Sequence, residues 1–408
     1  MARISTNQLY DRSINTITQN QGTLSDVQQQ LSSGKKLLRP SDDPVGAAQV
    51  VRLTEDLDKI TQYKRNNDLL TNSLQQEEVV LSNINDALDK ARQLMIQSGN
   101  GVYDESDLEA IGIEIGAIRD EVFSLMNTQN SNGEYIFAGY QSQTEAFTYN
   151  PSATGEKYTF SGDDGVKQIQ VSDALNIQAN SSGKTVFENV LARLNFTVSG
   201  DSGLESISSV ITEQAAFDKF HENNYDAVTP ANNQFQATII AGNQVQIDNV
   251  GTGETIGTVN FTSGEPFVFN GIEFNVEGSV GDTFDFELNK PEKNNIAETL
   301  NNFYVALNAG DLSDKELSEA IADALIGIDN GSKSLANATS SLGGRLNVAE
   351  SVYESNLDLE IANKTARANI EDVDYAEAIS ELSKQETALQ AAQATFSRVT
   401  GLTLFDYI

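Results

Sequence analysis

Apolar residues recur every seven positions near both ends of the chain, and each stripe has an isoleucine four positions after its tyrosine. These residues are Tyr10, Ile14, Ile17, Leu24 and Leu31 near the start, and Tyr375, Ile379, Leu382, Leu389 and Phe396 near the end. A sustained seven-residue repeat predicts a narrow helical seam that needs a partner helix. We therefore predict that the two ends pair with each other, with copies of the chain, or with both, and that these ten residues form an assembly interface.

A second, long helix is predicted from Pro44 to Ser98. Asp43 can cap this helix, and Pro44 suits its first position because the missing amide costs nothing there. One seven-residue line then comprises Leu53, Ile60, Asn67, Leu74, Leu81, Leu88 and Met95. The helix has about 55 residues and would be roughly 80 Å long at 1.5 Å per residue. For this central rod we favour an internal helical core over a seam between copies.

Further helices are predicted on both sides of a different middle region. A third helix follows Gly101, with apolar residues from Leu108 to Leu125 at helical spacing, and a turn then leads into a strand at 135–137. Helical periodicity returns at 296–308, 313–335 and 336–369. A last helix begins after Asp374, which forms the start of a capping box with Glu377.

The middle region, residues 141–289, consists of short alternating segments rich in Thr, Val, Phe and Gly. Its clearest element is a hairpin with Asn270 and Gly271 at the turn, because both turn positions need positive φ. Further strands are predicted at 158–160, 169–171, 235–240, 245–247 and 283–288. Residues 186–194 and 204–221 are predicted to be helical.

This order of elements predicts a multidomain α+β protein. Both termini form an elongated α-helical coiled-coil or bundle stem, and a mainly β domain is inserted at the tip. We expect residues 1–42 with 372–408 to form the terminal assembly segment and residues 43–140 with 293–371 to form the long-helix bundle. Residues 141–292 then form the variable β domain.

Charge and composition exclude several classes of protein. The net charge is −33, and residues 101–340 contain 10 Lys and Arg against 36 Asp and Glu. A strongly acidic middle disfavours nucleic acid and anionic membranes, which both attract basic surfaces. The chain has no Cys, so disulfides and thiolate metal sites are excluded. No run of about 18 apolar residues is present, so we expect no membrane span and no cleaved leader.

Candidate chemistry is sparse. His221 is the single histidine, and we expect an ordinary half-exposed side chain rather than a catalytic base. Asp163 with Asp164, and Asp282 with Asp285 and Glu287, could offer oxygen ligands to calcium, but their spacing matches no regular ligand loop. We therefore expect no catalytic, metal-binding or cofactor-binding residues.

Two segments resemble the terminal regions of bacterial flagellins and their relatives. They are LSSGKKLLRPSDDPVGAA at 31–48 and IEDVDYAEAISELSKQ at 370–385. The similar regions cover roughly residues 1–140 and 335–408. Within the family, the bracket of Pro40 and Pro44, the segment GEYIFAG at 133–139 and the ending LTLFDYI at 402–408 resemble the branch at the hook-filament junction more than filament subunits.

The resemblance implies a structural, non-enzymatic subunit of the extracellular flagellum that forms a ring of copies and connects hook to filament. The implied partners are the adjacent hook-associated junction protein, filament flagellin and, before assembly, a flagellar export chaperone. Export is implied to proceed through a type III apparatus as an unfolded chain, and no cofactor is implied. The alternatives are a filament flagellin, or a secreted adhesive or carbohydrate-active protein whose tip does the work.

Overall fold

The computed structural model describes residues 6–101, 103–310 and 313–401. The ending at 402–408 therefore lies outside the described residues. The helices in this part of the chain are α1 (Thr6–Ser33), α2 (Pro44–Ser98), α3 (Glu105–Met126), α4 (Gln214–Asn224), α5 (Ile296–Leu307), α6 (Asp314–Glu371) and α7 (Tyr375–Gly401). Across these described ranges, no helix has the length and apolar character needed to span a membrane.

Two predicted helix starts are confirmed by their capping bonds. Asp43 Oδ1 accepts hydrogen bonds from the backbone amides of Val45 and Gly46, at 3.1 and 3.0 Å. Asp374 Oδ1 accepts from the backbone amides of Ala376 and Glu377, at 2.8 and 3.3 Å. Each carboxylate satisfies amides that the first helical turn leaves without an intrahelical partner.

The two helices predicted at 313–335 and 336–369 are one continuous helix. Helix α6 has 58 residues, and its buried face passes through the predicted boundary without interruption. Ile328, Leu335, Leu342 and Ala349 are all at most 1% exposed and recur every seven residues. The prediction of a boundary near residue 335 is wrong because no Pro occurs there and the same apolar face continues.

The strands lie between α3 and α5. They are β1 (Phe147–Tyr149), β2 (Tyr158–Phe160), β3 (Gln168–Gln170), β4 (Asn176–Gln178), β5 (Val190–Leu191), β6 (Phe196–Ser202), β7 (Ser206–Ile211), β8 (Gln234–Ile240), β9 (Gln244–Asn249), β10 (Thr255–Asn260), β11 (Pro266–Phe269), β12 (Ile272–Glu277), β13 (Thr283–Leu288) and β14 (Lys293–Asn294). The largest sheet has the order β10-β9-β8-β13-β6, and a second has the order β11-β12-β7. All their paired neighbours are antiparallel.

A phenylalanine-rich core joins these two sheets. The ring of Phe274 on β12 lies 5.0 Å from that of Phe284 and 5.5 Å from that of Phe286, both on β13. Helix α4 adds Phe220, whose ring lies 5.4 Å from that of Phe235. Full burial of each such side chain contributes on the order of 1.5–3 kcal/mol, so this core explains how so polar a region folds.

The predicted hairpin is confirmed in its register and its turn. Phe267 pairs with Phe274 and Phe269 pairs with Ile272. Asn270 has a φ of 48° and Gly271 has a φ of 83°, as the sequence pattern requires.

Of three other predictions of local structure, two are wrong, and the helix predicted at 204–221 is right only for residues 214–221. Residues 204–221 form strand β7 and only then helix α4, because β12 supplies a partner strand along all of β7. Residues 186–194 contain the end of a π-helical turn, Lys184–Glu188, followed by β5. Residues 135–137 make only a single bridge between Tyr135 and Gln129, and Phe137 instead buries its ring 4.9 Å from that of Phe187.

The chain divides into two compact units. The first comprises Met1–Thr71, Ile169–Ile177 and Leu346–Ile408, and the second comprises Asn72–Gln168 and Gln178–Arg345. The three-part domain division predicted above stays a prediction.

Buried asparagines mark the interior of the first unit. Asn67 on α2 is 2% exposed and donates from Nδ2 to the carbonyl oxygen of Ala349 on α6, at 2.7 Å. Asn356 on α6 is 3% exposed and donates to the carbonyl oxygen of Val171, at 3.0 Å. Asn67 fixes the register of α2 against α6, because any shift leaves its buried amide without this partner, and Asn356 fixes α6 against the segment at Val171 in the same way.

In the second unit, the part of α2 that follows Asn72 contributes one face to an internal helical core. Leu74, Leu81, Leu88 and Met95 are at most 1% exposed, which agrees with the internal core that we favoured for this rod. Helix α3 packs on α5 at Gly116, where an added Cβ would lie 3.0 Å from the ring of Tyr304. The glycine therefore permits close contact between these two helices.

Candidate assembly interface

The turn after α1 and the turn before α7 bind each other, although they come from opposite ends of the chain. The amide of Val373 donates to the carbonyl oxygen of Gly34 at 3.0 Å, and the amide of Lys36 donates to that of Glu371 at 2.6 Å. The Lys35 ammonium also pairs with the Glu371 carboxylate. The two motifs at 31–48 and 370–385 are therefore in direct contact.

Gly34 is suited to this contact by its backbone. Its φ is +72°, and its amide donates to the carbonyl oxygen of Gln30 at 2.8 Å, which ends α1 in a left-handed cap. An added Cβ would lie 3.1 Å from the hydroxyl oxygen of Tyr375. Any other residue would be strained here and would also press against the first residue of α7.

The two terminal helices pair with each other in an antiparallel arrangement. Gly34, after the end of α1, lies at the start of α7, whereas Tyr10 near the start of α1 contacts Phe396 near the end of α7. The two rings meet edge to face with centroids 6.1 Å apart. The matching stripes at the two ends therefore do meet within one chain.

The seam of this pair follows alternating steps of three and four residues. The buried or half-buried positions that follow this spacing are Tyr10, Ser13, Ile17, Asn20, Leu24, Val27 and Leu31 on α1, and Ala378, Leu382, Gln385, Leu389, Ala392 and Phe396 on α7. Large apolar residues thus alternate with smaller residues, namely Ser13, Val27, Ala378 and Ala392, or with the amides Asn20 and Gln385. Val27 and Ala378 are the most buried, at 7% and 6% exposure, and neither is among the residues predicted from the sequence. The signal for them is weak because their equivalents, such as Asn20 and Gln385, are polar.

Three of the ten predicted residues lie outside the seam. Ile14 is 50% exposed, Tyr375 is 55% exposed and Ile379 is 54% exposed. Pairing of α1 with α7 therefore uses seven of the predicted residues and leaves two isoleucines and one tyrosine on the outer surface. The intermolecular interface predicted for these residues stays a prediction.

An ion cluster links α2 and α6 in the same unit. Glu360 accepts hydrogen bonds from Lys364 at 2.6 Å and from Lys64 at 2.8 Å. These two ammonium groups lower the pKa of Glu360 to about 2, and the same contact raises the pKa of Lys64. The two long helices are therefore joined by this charge cluster as well as by the buried Asn67.

Two of the acidic residues considered as calcium ligands, Asp163 and Asp282, accept structural hydrogen bonds from backbone amides. Asp163 Oδ1 accepts from the amides of Tyr140 and Gly165, and these bonds lower the pKa of Asp163. Asp282 accepts from the amide of Ser279 at 2.7 Å. Within the described ranges, no group of three or more His, Asp or Glu side chains is placed to bind a metal ion.

His221 is buried rather than half-exposed, which corrects our expectation. The side chain is 2% exposed, and Nε2 donates to the carbonyl oxygen of Asn289 at 2.8 Å. Its ring stacks on that of Tyr225 with centroids 4.9 Å apart. The apolar core of the β region surrounds this helix, so the histidine has a packing role.

Two family models match the ends of this chain. The bacterial flagellin N-terminal helical region matches residues 4–142, and the bacterial flagellin C-terminal helical region matches residues 325–408. The chain belongs to the bacterial flagellin family. The α1–α7 pair and the contact between the two turns lie in these flagellin regions.

Relatives within the flagellin family differ in how much of their length is matched. Flagellar hook-associated protein 3 of Escherichia coli is 25% identical over 408 residues, which cover 99% of this chain and 99% of that protein. The same protein of Salmonella typhimurium is 32% identical, but the match spans 46% of this chain and 57% of that protein. Flagellin of Salmonella enteritidis is 26% identical over 98% of this chain and 77% of that flagellin.

Solved structures of flagellin relatives share the fold. The flagellar hook-associated protein-3 of Legionella pneumophila matches 79% of this chain and 99% of its own, with a TM-score of 0.59 and 24% identity. FlgL of Xanthomonas campestris matches 78% and 99%, with a TM-score of 0.57 and 20% identity. The predicted α+β class, with helical regions from both termini and a mainly β middle, is confirmed.

Proposed function

We propose that this protein is a structural subunit of the bacterial flagellum that connects the hook to the filament. The observation that favours this role is the end-to-end match with Escherichia coli hook-associated protein 3, whereas the flagellin of Salmonella enteritidis has 23% of its length outside the match. The role is positional rather than catalytic, because the terminal segments present packing surfaces and backbone contacts.

Assembly in this proposal uses the outer surface of the α1–α7 pair. Ile14 on α1, and Tyr375 and Ile379 near the start of α7, are large side chains that intramolecular pairing leaves exposed. The hydrophobic effect favours covering such side chains, and copies of the same chain in a ring offer a complementary helix pair. The intramolecular seam then fixes where these residues point.

The proposed partners follow from this position in the flagellum. They are copies of the chain, the adjacent hook-associated junction protein and filament flagellin, with a flagellar export chaperone before assembly. The proposed location is extracellular, after type III export. The low stability expected of an isolated pair of terminal helices suits a chain that is exported unfolded, because helices gain most of their stability from packing.

A deletion strain tests this function. Electron microscopy of cells that lack the protein should show hooks without filaments, and expression of the chain should restore attached filaments. The filament-flagellin alternative predicts instead that the purified chain alone grows long filaments. Filaments that stay attached in the deletion strain would refute the junction role.

A further inference from the structure

A polar cleft lies in the second unit, beside the two chain segments that come before β6 and after β13. Its walls come from residues 192–195 before β6 and residues 289–294 after β13, with α5 and α6 on the other side. Phe303 on α5 and Ala324 on α6 are buried and give the cleft an apolar base. Its volume is about 540 Å³, within the roughly 300–1,000 Å³ typical of small-molecule sites.

A buried guanidinium group lies in this cleft. The side chain of Arg193 is 3% exposed, and its Nε donates to Gln214 at 2.6 Å. Nη1 donates to Glu319 at 2.7 Å and to Asp323 at 3.0 Å. The other terminal nitrogen, Nη2, has no hydrogen-bond partner among residues 6–101, 103–310 and 313–401. The group is therefore rigidly held and keeps donors available for a ligand.

Four asparagines also line the cleft, namely Asn195, Asn289, Asn294 and Asn302. The Oδ1 atoms of Asn195 and Asn289 already accept bonds from the amide of Phe196 and the hydroxyl of Thr197, at 2.8 and 3.0 Å. Their Nδ2 donors, and the whole side-chain amides of Asn294 and Asn302, make no hydrogen bond within the described part of the chain. The cleft therefore offers several neighbouring donors and acceptors.

The charges of the lining residues cancel. Arg193 and Lys290 are cationic, whereas Glu292 and Asp323 are anionic. A ligand with a net charge would meet groups of its own sign as well as opposite ones, so the cleft gives it little electrostatic advantage. Hydroxyl groups suit this lining because each can donate and accept at once, as the amides do.

We propose that this cleft binds a neutral, hydroxyl-rich molecule with the chemistry of a monosaccharide or short glycan. The ring hydroxyls pair with the asparagine amides and with Arg193 Nη2, and the C–H face of the sugar packs toward the Phe303 base. This binding site uses none of the residues of the assembly surface on α1 and α7, so it adds a recognition function to a structural subunit.

Saturation-transfer NMR on the full chain tests this site with glucose, galactose and N-acetylglucosamine as neutral probes and glucuronate as the charged comparison. Asn302→Trp places a large side chain in the cleft without removing a hydrogen bond that the described residues make. Val305→Trp is the matched control, because Val305 is on the same helix, is 45% exposed and does not line the cleft.

We expect transfer to at least one neutral sugar, a roughly tenfold or greater loss of affinity in Asn302→Trp, and no change in Val305→Trp. Lys290→Trp, on the opposite wall, replaces Asn302→Trp if circular dichroism shows that the latter does not fold. The proposal is overturned by no transfer to any of the three neutral sugars, by equal affinity in the cleft variant and the control, or by tighter binding of glucuronate.

Discussion

Replacing Ile379 by Asp separates assembly from folding of the chain. Ile379 is 54% exposed and lies in the first turns of α7, outside the α1–α7 seam. An exposed substitution normally changes the free energy of unfolding by less than about 0.5 kcal/mol, and a carboxylate near a helix N-terminus is favourable. The isolated chain should therefore fold as well as the wild type.

The Ile379→Asp substitution should instead weaken the contact between copies in the assembled state. Full burial of an isoleucine side chain contributes about 1.5–3 kcal/mol, so covering the exposed half of Ile379 contributes roughly 1 kcal/mol. The aspartate loses this contribution and adds about 1–3 kcal/mol for burying a polar group without a partner. The total of about 3 kcal/mol predicts a roughly 100-fold weaker contact for each copy.

The assay combines electron microscopy of hooks from cells that make the variant with thermal unfolding of the purified chain. Val250→Asp is the control, because Val250 is 52% exposed and follows β9 in the β region. We expect few attached filaments for Ile379→Asp, many for Val250→Asp, and similar unfolding for both. Normal filament attachment with Ile379→Asp, or equal loss with Val250→Asp, would refute the assignment of this surface.

Three further predictions concern stability. Gly34→Ala should lower the free energy of unfolding in urea by about 1–2 kcal/mol, because the backbone of Gly34 has a φ of +72°. Gly22→Ala, in the open middle of α1, should instead raise it by about 0.5–1 kcal/mol. Equal effects of the two substitutions would contradict this prediction. Burial raises the pKa of Glu77, so the ionised carboxylate destabilises the fold increasingly as pH rises above 4.5. Glu77→Gln removes this charge and should raise the melting temperature at pH 7. A lower melting temperature for the variant would contradict this. Lys364 and Lys64 lower the pKa of Glu360 to about 2, so the Glu360 carboxylate stabilises the fold fully above pH 4.5 and loses this effect as pH falls toward 2. The difference in unfolding free energy between wild type and Glu360→Gln should therefore shrink between pH 4.5 and pH 2. A difference that stays constant would argue against the ion cluster.

Local chemistry explains which parts of the fold could be predicted from sequence. The turn at Asn270 and Gly271 requires positive φ at both positions, and Asp43 before Pro44 marks a helix start, so neighbouring residues alone determine these features. The limits of α2 were predicted correctly for the same reason.

The features that could not be predicted depend on contacts with residues that are distant in the sequence. Leu204, Ile207 and Ile211 have helical spacing, but residues 206–211 pair with β12 and form a strand. In the candidate interface, the seven-residue repeat located the apolar stripes. It did not show which flanking positions of α1 would be covered by α7, or which of α7 by α1. The isoleucines at 14 and 379 were grouped with the seam, and the structure leaves them exposed because the pair uses the positions three residues after each heptad residue.

The claim that α1 and α7 contact neighbouring copies can be tested most directly by cysteine crosslinking, because the chain contains no Cys of its own. Hooks with attached filaments are isolated from cells that make Ile14→Cys and Ile379→Cys together, with Val250→Cys as the control, and are treated with a short bis-maleimide. We expect covalent dimers and larger species joined through the introduced cysteines of neighbouring copies, and only monomer for the control. Only monomer from the assembled double variant would contradict it.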